Sequence, residues 1–259
     1  MATEELVRFE QKGRVALLTL NRPPVNALSR DLWLALETAV DRLEDTSIHV
    51  AILTAEGRRV FCAGADLNEL SADEDEDRQA RHRIVTPIQQ KLHNIPIPVI
   101  CAVNGPAVGA GIALMHHSDY RIAADHAHFS MTEVERGTAA GGGGGISRLG
   151  VPNGFMREML YTGRRVTAYE ALSVHLVDRV VPYDELMSTA WALANTIATK
   201  PRAALAILKR AILTVASEPD WLRAYESTHA LTDEIAVLPE TREGLGAFLG
   251  KREPNYAHD

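Results

Sequence analysis

The first pattern along the chain is a pair of short β-prone apolar runs, residues 6–10 and 15–20. Gln11-Lys12-Gly13-Arg14 joins them, which predicts a hairpin. Beyond the Pro23-Pro24 break, Ser29 is placed to cap a helix with apolar positions at Leu32, Leu36, Val40 and Leu43. Residues 49–54 read as a strand, and Cys62-Ala63-Gly64-Ala65-Asp66 as a loop feeding a short helix. The five acids at 73–77 read as a solvated loop, because like charges repel and hydrate. A helix is then expected over about 78–93 and a strand over 98–103. Asn104-Gly105-Pro106 turns that strand into a small-residue helix starting near Gly109, and strands return over 119–124 and 127–131. Strands alternating with helices in this way predict an α/β domain. From Thr167 the pattern becomes helical. Thr167 and Glu170 form a capping-box pair. Pro201 opens a helix carrying Leu205, Leu208, Ile212 and Val215 on one stripe, and Pro239 starts another that ends near Gly250. The expected division is a core over 1–200 and a helical region over 201–259.

Composition narrows the function classes. The chain has 259 residues, 46% apolar and 24% charged, which suits a soluble enzyme with one large domain and a smaller appendage. With 27 Lys and Arg against 34 Asp and Glu, the net charge is -7. That balance argues against nucleic acid or an anionic membrane as the main partner. Two cysteines, Cys62 and Cys101, make neither a disulfide framework nor a metal-ligand spacing. The N-terminal segment, with Glu4 and Glu5, has no signal-peptide h-region. The most apolar stretch, 95–103, is too short to span a bilayer and is broken by Pro96 and Pro98. The expectation is a cytoplasmic protein without a metal site.

Two segments combine a strand, a turn of small residues and a helix start. They are Phe61-Cys62-Ala63-Gly64-Ala65-Asp66-Leu67 and Val103-Asn104-Gly105-Pro106-Ala107-Val108-Gly109-Ala110-Gly111. Small residues let a ligand approach the backbone, and free N–H groups at a helix start attract an oxyanion. Taken singly, each is equally compatible with a tight packing turn. Gly109-Ala110-Gly111 does not complete a dinucleotide fingerprint: Leu114 fills the third small position and no acid closes a second strand. The glycine tract 141–145 lacks the Lys-Ser/Thr ending of a P-loop and reads as flexibility beside a site. Glu133, after one strand and before those glycines, is either a general base or the partner of a surface cation such as Arg136.

In this order and spacing, the residues resemble the enoyl-CoA hydratase/isomerase (crotonase) superfamily. The matching segments are Leu20-Asn21-Arg22-Pro23 with Asn26-Ala27-Leu28, Phe61 to Leu67, Ala102 to Gly111, Ser118-Asp119, Phe129 to Glu133, and Phe248-Leu249-Gly250-Lys251-Arg252. The resemblance implies an α/β spiral of ββα units, a C-terminal all-helical trimerisation region, and assembly as a homotrimer or a hexamer of two trimers. It implies that the N–H groups of Ala65 and Ala110 hold a thioester oxygen, Ala110 standing where the family usually has glycine. Ala63, Asp66, Leu67 and Asn68 match positions lining the coenzyme A site, and Arg22 approaches its phosphates. Phe248 and Lys251 resemble a C-terminal pair that contacts the nucleotide end from a neighbouring subunit. Coenzyme A enters as part of the acyl-CoA substrate, with no separate cofactor.

The acids depart from the family pattern. Hydratases of this family use two glutamates, and the second matches Glu133. The first matches Ala113, which transfers no proton, so His116, His117 and Glu135 stand as the nearby substitutes. A shift of a double bond needs one carboxylate, whereas hydration must also orient a water. Residue chemistry therefore favours double-bond isomerisation over 2-enoyl-CoA hydration, and a weakly catalytic acyl-CoA-binding protein is the remaining reading.

Overall fold

In the computed structural model, which describes residues 5–72, 75–139 and 150–256, the chain opens with β1 (Val7–Lys12) and β2 (Val15–Leu20). They pair antiparallel around a turn in which Gly13 takes φ +58°. Helix α1 (Arg30–Asp41) starts where Ser29 Oγ accepts from the Leu32 N–H at 3.2 Å, and it buries Leu32, Trp33, Leu36 and Val40. Strand β3 (Val50–Ala55), buried along its whole length, lies parallel to β2. A loop leads to α2 (Leu67–Ala72), then α3 (Asp75–Asn94), β4 (Val99–Val103), β5 (Ala107–Val108) and α4 (Ala110–His116). Strands β6 (Tyr120–Ala124) and β7 (His128–Ser130) follow, then a 3-10 turn over Thr132–Arg136. Next come α5 (Asn153–Thr162), β8 (Val166–Thr167), α6 (Ala168–Ser173), β9 (Arg179–Val181) and α7 (Tyr183–Ala198). The chain finishes with α8 (Arg202–Ser217), α9 (Trp221–Ala236) and α10 (Pro239–Leu249).

The strands form two sheets. The larger has the order β1-β2-β3-β4-β6-β9 and is parallel from β2 onward; the smaller has the order β5-β7-β8. The chain passes from one sheet to the other four times: β4 to β5, β5 to β6, β6 to β7 and β8 to β9. Two successive turns of this spiral, β4–β5 and β6–β7, each give one strand to each sheet. One apolar core lies between the sheet system and α1, α3 and α4; a second is sealed by α7, whose Leu186, Ala190 and Ala194 are buried. Parallel strands buried on both faces read as continuous apolar runs, as β3 and β4 do.

The capping box at Thr167 is present, with Glu170 reaching back to the Thr167 N–H at 3.0 Å. The acidic run departs from expectation. Helix α3 begins at Asp75, inside that run. Asp73 and Glu74, and the glycine tract, lie outside the described residues. Helix α8 is fastened to the core by a buried lysine. Lys209 Nζ donates to Ile97 O at 3.0 Å and to Asp119 Oδ2 at 2.8 Å, while the same Asp119 oxygen accepts from the Val99 N–H at 2.8 Å. Burial pulls the Lys209 pKa down and Asp119 opposes it. Arg202 adds a bond from Nε to Ile48 O at 3.0 Å. Among the described residues no helix is long and apolar enough to cross a membrane.

Candidate active site

The two small-residue turns are joined edge to edge. The N–H groups of Phe61 and Cys62 donate to Pro106 O at 3.0 and 3.2 Å, and the Val108 N–H donates to Cys62 O at 2.9 Å. Close approach depends on glycine. A Cβ built on Gly64 would stand 2.8 Å from Val108 O and 3.5 Å from the Ala110 nitrogen. One on Gly111 would meet Cys62 O at 2.6 Å. Residues 64 and 65 therefore lie beside the start of α4. Ala110 is the first residue of that helix, where an N–H has no partner within the helix. Around Ala65, Gly64 O accepts from the Leu28 N–H and Leu28 O accepts from the Asp66 N–H; the Ala65 N–H itself has no acceptor among the described residues. Two backbone donors thus border one small space, and such a pair can hold an oxyanion.

Asn26 holds the outer wall of this arrangement. Its backbone is left-handed, with φ +52°, and its Oδ1 accepts from the Arg22 N–H at 2.8 Å while Nδ2 donates to Phe61 O at 3.1 Å. The sequence motif contains Asn26, but nothing in its spacing marks it as the strut between the two loops. Cys62 lies in the same wall. Burial pushes its thiol up to about 12, so it is a packing group and not a nucleophile.

Glu133 enters from the 3-10 turn after β7 and reaches the start of α4. A Cβ on Gly109 would sit 2.5 Å from Glu133 Oε1, and Gly109 adopts φ +53° and ψ -120°. Gly109 is thus required twice, for its backbone conformation and for the room it leaves the carboxylate. Glu133 Oε2 is buried with no hydrogen-bond partner among the described residues. Arg136, the cation expected to pair with it, donates instead to Thr132 Oγ1 at 3.2 Å. A carboxylate at this helix start, with one oxygen uncommitted among the described residues, can take up and return a proton. Replacing Gly109 with alanine is expected to keep the fold at a cost of ~1–3 kcal/mol from the strained backbone. It should also displace Glu133, so turnover falls by more than the loss in thermal stability explains. A variant with wild-type turnover would show that the Gly109–Glu133 approach is incidental.

Ala113 lies one turn into α4, half-buried. His117 is seven residues beyond Ala110 on the same helix face, about 10 Å along the axis at 1.5 Å per residue. Its ring packs against His116 and His93, with centroids 5.1 and 5.6 Å away. Burial first, then those two neighbours, push its pKa down to about 3, so it is neutral at physiological pH. Glu135 points elsewhere: its Oε1 lies 3.0 Å from a Cβ on Gly163, at the end of α5.

Arg22 and Asp66 form an ion pair at 2.7 Å, and Arg22 also donates to Ala27 O at 2.9 Å. Asp66 Oδ1 accepts from the Asn68 N–H at 3.0 Å, at the start of α2. Burial pushes the Asp66 carboxyl up, but the Asn68 N–H and the Arg22 guanidinium outweigh it and hold it below the usual carboxylate range. Ala63 donates to Val25 O at 3.0 Å, and Leu67 and Asn68 are exposed beside this pair. Phe248, 81% exposed, and Lys251 stand at the end of α10. Among the described residues no group of three or more His, Cys, Asp or Glu is arranged to hold a metal ion.

The two-sheet spiral with its helical C-terminal region has the crotonase fold. The sequence model of the family described as enoyl-CoA hydratase/isomerase matches residues 10–259, and the chain belongs to that family of acyl-CoA enzymes. It is 33% identical to a short-chain-enoyl-CoA hydratase of Clostridium acetobutylicum over 95% of each chain. It is 34% identical to a carnitinyl-CoA dehydratase of Salmonella arizonae over 97% of this chain and 98% of that one. The crystal structure of an enoyl-CoA hydratase from Bacillus anthracis superposes with a TM-score of 0.93 at 32% identity, covering 98% of this chain and 100% of that one.

Proposed function

We propose that this protein binds an enoyl-CoA with its thioester oxygen between the N–H groups of Ala65 and Ala110, and shifts the double bond with Glu133 as the only proton carrier. The observation that carries this reading is that Glu133 is, among the described residues, the one carboxylate at the start of α4, with Ala113 in the position of a second acid. Glu133 removes a proton from C2 of a 3-enoyl-CoA, the two N–H groups stabilise the resulting dienolate, and the proton returns at C4. Neither His117 nor Glu135 supplies the missing acid in this reading: the first lies two turns down the helix among other histidines, and the second rests against Gly163. Hydration is the second reading, favoured by the names of the hydratase and dehydratase relatives.

Offering the purified protein a 2-enoyl-CoA and a 3-enoyl-CoA side by side separates the two. Products of changed retention and unchanged mass from the 3-enoyl substrate are expected. A gain of one water on the 2-enoyl substrate, at the faster rate, would make hydration the activity. No turnover of either would leave an acyl-CoA-binding protein.

Ala63, Asp66, Leu67 and Asn68 line the coenzyme A path in this reading, with Arg22 toward its phosphates and Phe248 and Lys251 at the nucleotide end. Coenzyme A arrives as part of the substrate, so the reaction calls on no separate cofactor. Self-association belongs to the same proposal. Leu208, Ile212 and Val215 expose one apolar face of α8, Ile212 at 67%, and large exposed apolar patches mark contact surfaces. A mass of three or six chains is expected by light scattering at micromolar concentration, and a monomer would overturn it.

A further inference from the structure

The last six described residues fold back over α10, and one carboxylate organises the return. Glu243 Oε1 accepts from Arg252 Nη1 at 2.6 Å and from the Asn255 N–H at 2.7 Å, and its Oε2 accepts from Arg252 Nη2 at 2.8 Å. This is a two-pronged ion pair with a backbone donor added, the geometry in which charge-assisted bonds give most directional control. Arg252 holds the Glu243 carboxyl down to about 2, so the grip persists across physiological pH. The far end of the segment is tied to the first hairpin, where Arg14 Nη2 donates to Tyr256 O at 3.1 Å. Between these anchors the helix closes with the Arg252 N–H donating to Ala247 O at 3.0 Å, and Lys251 takes the left-handed position, φ +52°. Glycine is the usual occupant there, because a side chain is disfavoured in that conformation. The clamp therefore holds a lysine in a conformation it would not adopt readily by itself. Lys251 has no carboxylate partner among the described residues, whereas Arg252 beside it is neutralised by Glu243. Three residues earlier stands the exposed ring of Phe248.

We propose that Glu243 is a positioning residue for the nucleotide end of the substrate: by gripping Arg252 and the Asn255 N–H it fixes the turn that presents Lys251 and Phe248. The inference rests on the proposed reading of those two residues as nucleotide contacts. An aromatic face and an unpaired cation at fixed separation suit a base and a phosphate, and a loose turn would forfeit the pairing.

The test compares the 3-butenoyl thioester of coenzyme A with that of pantetheine, which lacks the nucleotide, in wild type, Lys251→Ala, Glu243→Ala and Glu243→Gln. The quantity read is the preference, the ratio of kcat/KM for the coenzyme A thioester to that for the pantetheine thioester. General destabilisation lowers both terms alike, so a merely structural glutamate does not move the ratio. Lys251→Ala and Glu243→Ala are each expected to lower it about tenfold, the scale of one charge-assisted contact. Glu243→Gln, which keeps an acceptor for Asn255 but loses the ion pair, is expected to fall between, and it carries the test if the alanine variant does not fold. If Lys251→Ala lowers the preference and both Glu243 variants, folded and assembled as the wild type, keep it, the positioning role is overturned while the nucleotide reading stands. If Lys251→Ala keeps the preference, the nucleotide reading fails and the positioning role falls with it.

Discussion

Glu133→Gln is expected to lower turnover by ~10²-fold or more while leaving the fold and acyl-CoA affinity in place, the scale typical of general acid–base catalysis. Glutamine preserves the shape of the side chain and can still lie against Gly109, but it cannot exchange a proton. The surroundings of Glu133 set this expectation. Its Oε2 is buried without a partner among the described residues, and a buried acceptor left unsatisfied costs ~1–3 kcal/mol. A glutamate held for structure alone would be expected to find a donor, and Arg136 is near enough in sequence to have served. Arg136 bonds Thr132 instead. Steady-state rates, with acyl-CoA affinity measured separately by calorimetry, check the expectation. Near-normal turnover in Glu133→Gln would make Glu133 a packing group and move the proton transfers to another residue or to water.

The parts of the fold that were legible in the sequence are those set by local chemistry. Ser29 caps α1, Thr167 and Glu170 close their box, Pro239 opens α10, and the hairpin turns at Gly13. Each depends on residues within four positions of one another. The small sheet was only partly legible: β5 and β8 have two residues each, too short to show a period, and exist because β7 pairs with both. Helix α8 shows the limit of hydropathy. Its apolar stripe was plain, yet Leu208, Ile212 and Val215 face outward from the single chain while the charged Lys209 is buried. That burial is possible because Asp119 and Ile97 O wait at the other end, contacts distant in sequence. The acidic run shows the reverse error, since charge repulsion suggested a loop where α3 is already under way from Asp75.

At the candidate site, the two turns and Glu133 could be found from residue type and order. Their convergence could not. It depends on Gly64, Gly109 and Gly111 standing where any side chain would strike the other loop or Glu133, and a glycine's reason is invisible until its neighbour in space is known. The separation of Glu133 from Glu135 was hidden for the same reason. Two residues apart in sequence, they rest against different glycines on different elements, Gly109 at the start of α4 and Gly163 at the end of α5. The turn chemistry of Glu243 and Arg252 lies nine residues apart across a helix end, a spacing with no motif to announce it.

Ala110→Pro is expected to cut turnover by 10²–10³-fold, the loss of roughly 2.7–4 kcal/mol that follows removal of one oxyanion donor. The substitution is unusually clean here. Ala110 is the first residue of α4, and proline is well tolerated at that position because the N–H it lacks has no intrahelical acceptor. Its fixed φ near -65° also suits the helix. Gly109 before it has no Cβ to clash with the new ring. The variant should therefore fold and assemble as the wild type, with a melting temperature close to it, while losing one of the two donors that face the thioester oxygen. Binding of the ground-state thioester should weaken less than turnover, because the donors act most strongly on the charge that develops as the enolate forms. Circular dichroism and light scattering establish the fold and assembly, and the ratio of lost turnover to lost affinity then isolates the effect on the transition state. A folded Ala110→Pro protein with unchanged turnover would remove the oxyanion argument and, with it, the reason for placing the reacting carbonyl between these two turns.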